Sequence, residues 1–127
     1  MAVLIRDFMS APVTSCTIDS NVGKVRDLMT LKGFSALPVV EVVNGHVNIK
    51  GIITYRDIAG VYDDNVSVQQ VMTQLVRVVL PTTSAKNAAD LMLQEAIHHL
   101  VIVEESRIVG MVSSADFVHL VSQYDLC

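Results

Sequence analysis

The chain has no tryptophan and only three phenylalanines and three tyrosines, so few aromatic rings are available to fill an interior. Half of its 127 residues are hydrophobic, and the core must therefore be aliphatic, built from Val, Ile, Leu and Met. Charge is scarce as well. Asp, Glu, Lys and Arg make up 17% of the residues, low for a soluble monomer of this size, which implies that a partner or a second copy covers some apolar surface. The net charge of −4 and a pI near 5.4 leave no basic stripe. That argues against a nucleic-acid binder, and an anionic ligand would need a local cationic spot. The two cysteines, Cys16 and Cys127, have neither metal-ligand spacing nor a pairing pattern, as expected in a reducing cytoplasm. The apolar start, Met1 to Ile5, is broken by Arg6 and Asp7 before any signal-peptide core forms, and no stretch approaches the roughly 18 apolar residues of a membrane span. The expectation is a soluble, cytoplasmic protein.

Catalytic patterns are missing too. The six glycines are scattered at turns and caps, with no phosphate-cradling loop. Ser113, His98 and Asp116 supply the residue types of a triad, but no glycine elbow exposes the serine. Cys16 lies in an apolar run with no basic neighbour to activate its thiol. The chain reads as a non-enzyme.

What is present is a repeat. His98-His99-Leu100-Val101-Ile102-Val103-Glu104, a Glu-Ser-Arg turn and Ile108-Val109-Gly110-Met111-Val112-Ser113 form a β-hairpin pattern. It ends in Ser113-x-x-Asp116. Residues 34–57 repeat it: Phe34 to Glu41, a type I′ turn signal at Asn44-Gly45, then Gly51-Ile52-Ile53-Thr54 and Asp57. Met9 superposes on Met72, Val13 on Val76, Asp27-Leu28-Met29 on Asp90-Leu91-Met92 and Leu37 on Leu100; past a first turn four residues longer, Gly51 aligns with Gly110.

Each copy has a strand (Val13–Ile18, Val76–Leu80) and a helix (about 22–32 after Asp19-Ser20-Asn21; from Ala85 after Pro81-Thr82-Thr83-Ser84). The hairpin follows, then a closing helix (Tyr55 to about Ala59; Ser114 to about Gln123). Gly33 ends the first long helix, and Gly60–Ser67 is the linker. The order is β-α-β-β-α, twice, with one repeat at 1–62 and the other at 63–127. A half of about 60 residues buries too little surface to be securely stable alone. The expected fold is therefore α+β, with the halves packed sheet to sheet about a pseudo-twofold axis and two clefts at the strand ends.

The ordered set of Met-Ser/Thr, Asp-Leu-Met, Leu-Pro-Val-Val and Gly-h-h-Thr/Ser-x-x-Asp (h, hydrophobic), occurring twice over about residues 3–122, resembles paired cystathionine β-synthase (CBS) domains. The resemblance implies a regulatory module for adenosyl compounds: AMP, ADP or ATP, sometimes S-adenosylmethionine. Two readings of Thr/Ser-x-x-Asp stand side by side. It is a capping box, with Thr54 or Ser113 capping a helix and Asp57 or Asp116 reaching back. The resemblance implies instead that each aspartate accepts from the 2′- and 3′-hydroxyls of a ribose, with Thr54 or Ser113 near the phosphate.

His98 and His99 are strand-entry residues whose adjacent positions converge poorly on a metal. The resemblance places phosphate there, although the family pattern has Arg at the second position, and an imidazole is a weaker and pH-dependent cation. Their counterparts, Ser35 and Ala36, are uncharged, which favours the Asp116 cleft. Arg56 stands beside Asp57, and Thr14 matches a position whose backbone can meet the adenine edge. Its counterpart Arg77 reads as a surface charge. Leu37, Pro38 and Ile52 can wall the base or simply pack the core. The low charge fraction and the apolar faces of the short helices (Ile58, Val61, Phe117, Val118, Leu120, Val121) predict a homodimer; the resemblance implies docking through such helices and a regulated protein partner. A structural association module with empty clefts is the competing expectation.

Overall fold

Asn21 starts the first long helix because its Oδ1 accepts the Lys24 amide at 2.8 Å, one of the donors a helix start leaves without a partner. The helix, α1, spans Val22–Lys32, and Gly33 ends it in the left-handed conformation at φ 73°. It buries Val22, Val25 and Met29 on one face. Strands β2 (Ala36–Val43) and β3 (His46–Thr54) follow as an antiparallel hairpin. Asn44 and Gly45 turn between them with φ 52° and 78°, the paired positive values of a type I′ turn. The short β1 (Cys16–Thr17) pairs parallel with β2 at Val39–Val40, giving a three-stranded sheet in the order β1-β2-β3. Two one-turn helices complete this part, α2 (Tyr55–Ile58) and α3 (Val68–Val71).

The computed structural model describes residues 2–123, so Cys127 lies outside the described residues. Within them the pattern recurs: β4 (Val78–Val79), α4 (Ala85–Glu95) capped by Ser84, β5 (His99–Glu104), β6 (Arg107–Ser113) and α5 (Ser114–Ser122). The second sheet runs β4-β5-β6, and its hairpin turns at Glu105 and Ser106, also with positive φ. The fold is α+β, two repeats with a three-stranded sheet each. The expected strands Val13–Ile18 and Val76–Leu80 shorten to two residues apiece. Each has one sheet neighbour, and past Thr17 the chain turns (Ser20 N–H to Thr17 C=O, 3.0 Å) to deliver the cap of α1.

The compact units are offset from the sequence repeats. One is Thr14–Val76; the other joins Met1–Val13 to Arg77–Cys127. Each unit therefore takes its opening segment from the other repeat. The exchange is secured at two corresponding places. At the helix starts, the Val22 amide donates to Val66 and the Ala85 amide to Val3, both at 2.8 Å. At the second strand of each hairpin, Ile52 and Thr73 exchange two backbone bonds of 2.9 Å, and Met111 and Ser10 exchange bonds of 3.0 and 2.8 Å.

This second contact gives Gly51 and Gly110 their reason. A Cβ on Gly51 would lie 2.7 Å from the Thr73 carbonyl oxygen; on Gly110 it would lie 2.9 Å from Met9 Cγ and 3.2 Å from the Ser10 carbonyl oxygen. Only a residue without a side chain lets the opening segment come that close.

Each unit has its own aliphatic core. In Thr14–Val76, α1 packs Val22, Val25 and Met29 with Leu37, Val39 and Ile53 of the hairpin, and with Cys16, Ile58 and Val68. In the other, Ile5, Ala88, Met92, Leu100, Ile102 and Val112 form the centre. Phe8 and Phe117 meet edge to face there, with ring centroids 5.1 Å apart. Three residues expected on a docking face are thus spent internally: Ile58 is buried, and Val61 and Phe117 each pack against the core of their own unit. Val118 and Val121 of α5 stay exposed. Among the described residues no helix is long and apolar enough to cross a membrane.

Candidate functional site

In the unit that contains α5, the end of the β5–β6 hairpin brings four of the expected residues together. His99 is the ladder partner of Ser113, so β5 begins where β6 stops. Beside them His98 Nδ1 lies 3.2 Å from Ser114 Oγ, and the Ser114 amide donates to the His98 carbonyl at 2.9 Å. Asp116 sits one turn into α5 with its carboxylate bent back to the strand end. Its Oδ2 accepts the Ser113 amide at 2.8 Å and the Ser113 hydroxyl at 3.2 Å. Its Oδ1 has no hydrogen-bond partner among the described residues. Asp116 also lines a cavity of about 580 Å³, with Val3, Asp7, Phe8, His119 and Leu120 among its other walls.

The corresponding place in Thr14–Val76 has the same backbone and different chemistry. Ala36 pairs with Thr54 across the hairpin, and the Tyr55 amide donates to the Ser35 carbonyl at 2.9 Å. Asp57 Oδ2 accepts the Thr54 amide at 2.9 Å, and Thr54 Oγ1 accepts the Asp57 amide at 3.2 Å. That is a complete capping box. Thr73 adds a further tie, its hydroxyl standing 3.1 Å from Asp57 Oδ1 and 3.2 Å from Oδ2. Both carboxylate oxygens of Asp57 are engaged. Ser35 and Arg56 are exposed and Ala36 is buried.

Thr14 is half-buried just before β1. Its counterpart Arg77 is not simply a solvated charge: its Nε bonds Glu95 at 2.9 Å, and its carbonyl accepts the Val101 amide at 3.1 Å. Leu37, Pro38 and Ile52 are buried, with Leu37 in the core of α1. Burial raises the Cys16 thiol to about 11, which keeps it protonated at neutral pH. Among the described residues no group of three or more His, Cys, Asp and Glu can hold a metal ion.

Sequence reasoning missed Thr73 and Ser114. The signal for Thr73 was present in the repeated Met-Ser/Thr pair, but only the exchange of opening segments shows that its hydroxyl meets the aspartate.

The CBS domain family matches this chain twice, over residues 5–64 and 68–123. The chain belongs to the CBS-domain family. A CBS domain-containing protein of Bacillus subtilis, YhcV, is 30% identical over 117 residues, covering 88% of this chain and 81% of its own length. An uncharacterized protein of Methanocaldococcus jannaschii is 32% identical over 121 residues, 93% of this chain and 44% of that protein. An inosine-5′-monophosphate dehydrogenase of the same organism is 30% identical over 117 residues, 91% of this chain but 22% of the enzyme. This CBS pair thus spans most of YhcV but less than half the length of the two Methanocaldococcus jannaschii relatives. Among solved structures, the CBS domain pair of protein MJ0100, crystallised with 5′-methylthioadenosine and S-adenosyl-L-methionine, superposes with a TM-score of 0.84. It is 23% identical, covering 97% of this chain and 98% of that one. A hexameric CBS-CP12 protein from bloom-forming cyanobacteria superposes at 0.81 with 22% identity, covering 93% and 67%. At these identities the likeness concerns the CBS fold.

Proposed function

We propose that this CBS pair is a regulatory sensor that binds adenine nucleotides, AMP foremost and ADP or ATP as well, and passes their occupancy to a protein partner. The observation that carries the reading is the carboxylate of Asp116. Asp116 lines a cavity of about 580 Å³; one of its oxygens holds the strand end, and the other has no hydrogen-bond partner among the described residues. A ribose offers adjacent hydroxyl donors, and a carboxylate oxygen accepts them with charge assistance. The volume is within the usual range for small-molecule sites.

Ser113, His98 and His99 lie at the end of the β5–β6 hairpin and do not line that cavity; in this reading they meet the first phosphate where it leaves the cavity. Asp57, Thr54, Ser35, Ala36, Arg56 and Thr14 form the weaker counterpart, since Thr73 already occupies Asp57. The module regulates rather than catalyses. It associates as a homodimer, for which the exposed Val118 and Val121 of α5 supply apolar surface.

The test is a thermal-shift screen with AMP, ADP, ATP, NAD and S-adenosylmethionine. Stabilisation by AMP that rises with its concentration supports the reading. A shift with S-adenosylmethionine alone transfers the site to that ligand, and no shift with any compound leaves a purely structural association module. Sedimentation at tens of micromolar tests the dimer, and a mass equal to one chain of 13.8 kDa rules it out.

A further inference from the structure

The Asp116 cavity is acidic in a way the capping boxes conceal. Asp7 lies on the same wall system, contributed by the opening segment, and its geometry parallels that of Asp116. Asp7 Oδ2 accepts the Leu4 amide at 2.9 Å, so the carboxylate is fixed by its own backbone, and its Oδ1 has no hydrogen-bond partner among the described residues. Two anchored carboxylates thus border one cavity of about 580 Å³ that has apolar walls in Val3, Phe8 and Leu120.

No lysine or arginine lines it among the described residues; the one cationic candidate is the imidazole of His119. His98 and His99 of this unit are not in the lining, and its lysine and arginine side chains are elsewhere. Arg77 is paired with Glu95 and Lys86 with Asp90, while Arg6 and Arg107 are exposed and outside the lining.

We infer that Asp7 is a specificity-determining residue that limits how much negative charge an adenosyl ligand at Asp116 can carry. The inference rests on the proposed ribose contact of Asp116. An adenosyl body fits the mixed apolar and polar lining, and each phosphate added to it brings charge toward two carboxylates, with neither lysine nor arginine and a single imidazole, His119, in the wall among the described residues. Affinity therefore falls from AMP to ADP to ATP. An adenosyl compound with a neutral or cationic 5′ substituent meets no such penalty. Like charges several ångströms apart in a partly solvated cavity give about a threefold to tenfold change for each charge.

The experiment is calorimetric titration of the whole chain with adenosine, AMP, ADP and ATP, without divalent cations, on the parent and on Asp7→Asn. Asparagine keeps an acceptor for the Leu4 amide while removing the charge. The parent should bind AMP more tightly than ATP, and D7N should narrow that gap by about threefold to tenfold while adenosine affinity changes less than about twofold. Because the effect is Coulombic, raising the salt from 0.05 to roughly 0.5 M should narrow the gap in the unmodified protein too, a readout that needs no variant. Equal affinity for AMP and ATP in the parent, or a gap that neither D7N nor salt changes, overturns the inference while leaving the ribose contact standing. If none of the four compounds binds the parent, the ribose reading fails and the charge limit falls with it.

Discussion

Asp57 and Asp116 occupy the same place in two copies of one motif, and they differ in what is left over after the helix has been capped. Around Asp57 the box is closed. Thr54 accepts the Asp57 amide, Asp57 accepts the Thr54 amide, and the Thr73 hydroxyl covers the carboxylate from the exchanged opening segment. Around Asp116 the same capping box is present and the Ser113 hydroxyl also donates to the carboxylate, but among the described residues Ser10, the counterpart of Thr73, makes only its backbone bonds to Met111. Each oxygen of Asp57 has a protein partner; Asp116 keeps one oxygen without a partner among the described residues and lines a cavity. Capping and ligand binding are therefore compatible roles of Asp116, because a carboxylate has two oxygens and a cap needs one.

The two glycines test the shared scaffold and carry the largest expected effect on stability. At Gly51 an added Cβ meets a backbone oxygen at 2.7 Å, and backbone held by two hydrogen bonds yields little. At Gly110 the nearest groups are the flexible Met9 side chain and an oxygen at 3.2 Å. Gly51→Ala should cost about 2–3 kcal/mol and Gly110→Ala about 1 kcal/mol in urea unfolding. Equal costs would mean that the two openings are held alike.

Thr73→Val comes next. Losing a hydroxyl bond to a partly exposed carboxylate should cost about 1 kcal/mol. It also releases one oxygen of Asp57, so a weak second AMP site should become measurable by calorimetry. If stability falls and no second site appears, the uncharged Ser35 and Ala36 rather than Thr73 keep that place empty.

The smallest effect concerns the cores. Cys16 holds the position that Val79 holds in the other repeat, so Cys16→Val should change stability by less than about 1 kcal/mol. The buried thiol, raised to about 11, should be alkylated far more slowly at pH 8 in the folded chain than in urea, read on the peptide that contains Cys16. The sign follows from the raised value. The fold favours the protonated thiol, so its contribution is complete below the ordinary thiol range and is lost as pH rises toward about 11.

How much of this was legible varied with the distance between the interacting residues. The helix α1, its Asn21 cap, the left-handed Gly33 and the Asn44-Gly45 turn are local, and each was readable because a few neighbouring residues determine it. The repeated Ser/Thr-x-x-Asp was readable as a cap for the same reason. The exchange of opening segments was not, since periodicity and spacing are the same whichever hairpin Met9-Ser10 or Met72-Thr73 lies against. The Thr73 contact with Asp57, the role of Gly51 and Gly110, and the meeting of Asp7 with Asp116 in one cavity all depend on that exchange. Ile58, Val61 and Phe117 were expected on a docking face from their apolarity and from the family resemblance, and the two cores claim them because burial is decided by packing rather than by residue type.

The central claim is that the two aspartates are unequal, and calorimetric titration of AMP into the parent, Asp57→Ala and Asp116→Ala tests it most directly. The account predicts one principal site per chain. Asp116→Ala should weaken it by about thirty- to a hundredfold, the equivalent of roughly 2–3 kcal/mol for lost charge-assisted hydrogen bonds, whereas Asp57→Ala should stay within about threefold of the parent and lose about 1 kcal/mol of stability as a missing cap. Two equal sites in the parent, or a folded Asp116→Ala protein that binds AMP as tightly as the parent, would contradict it.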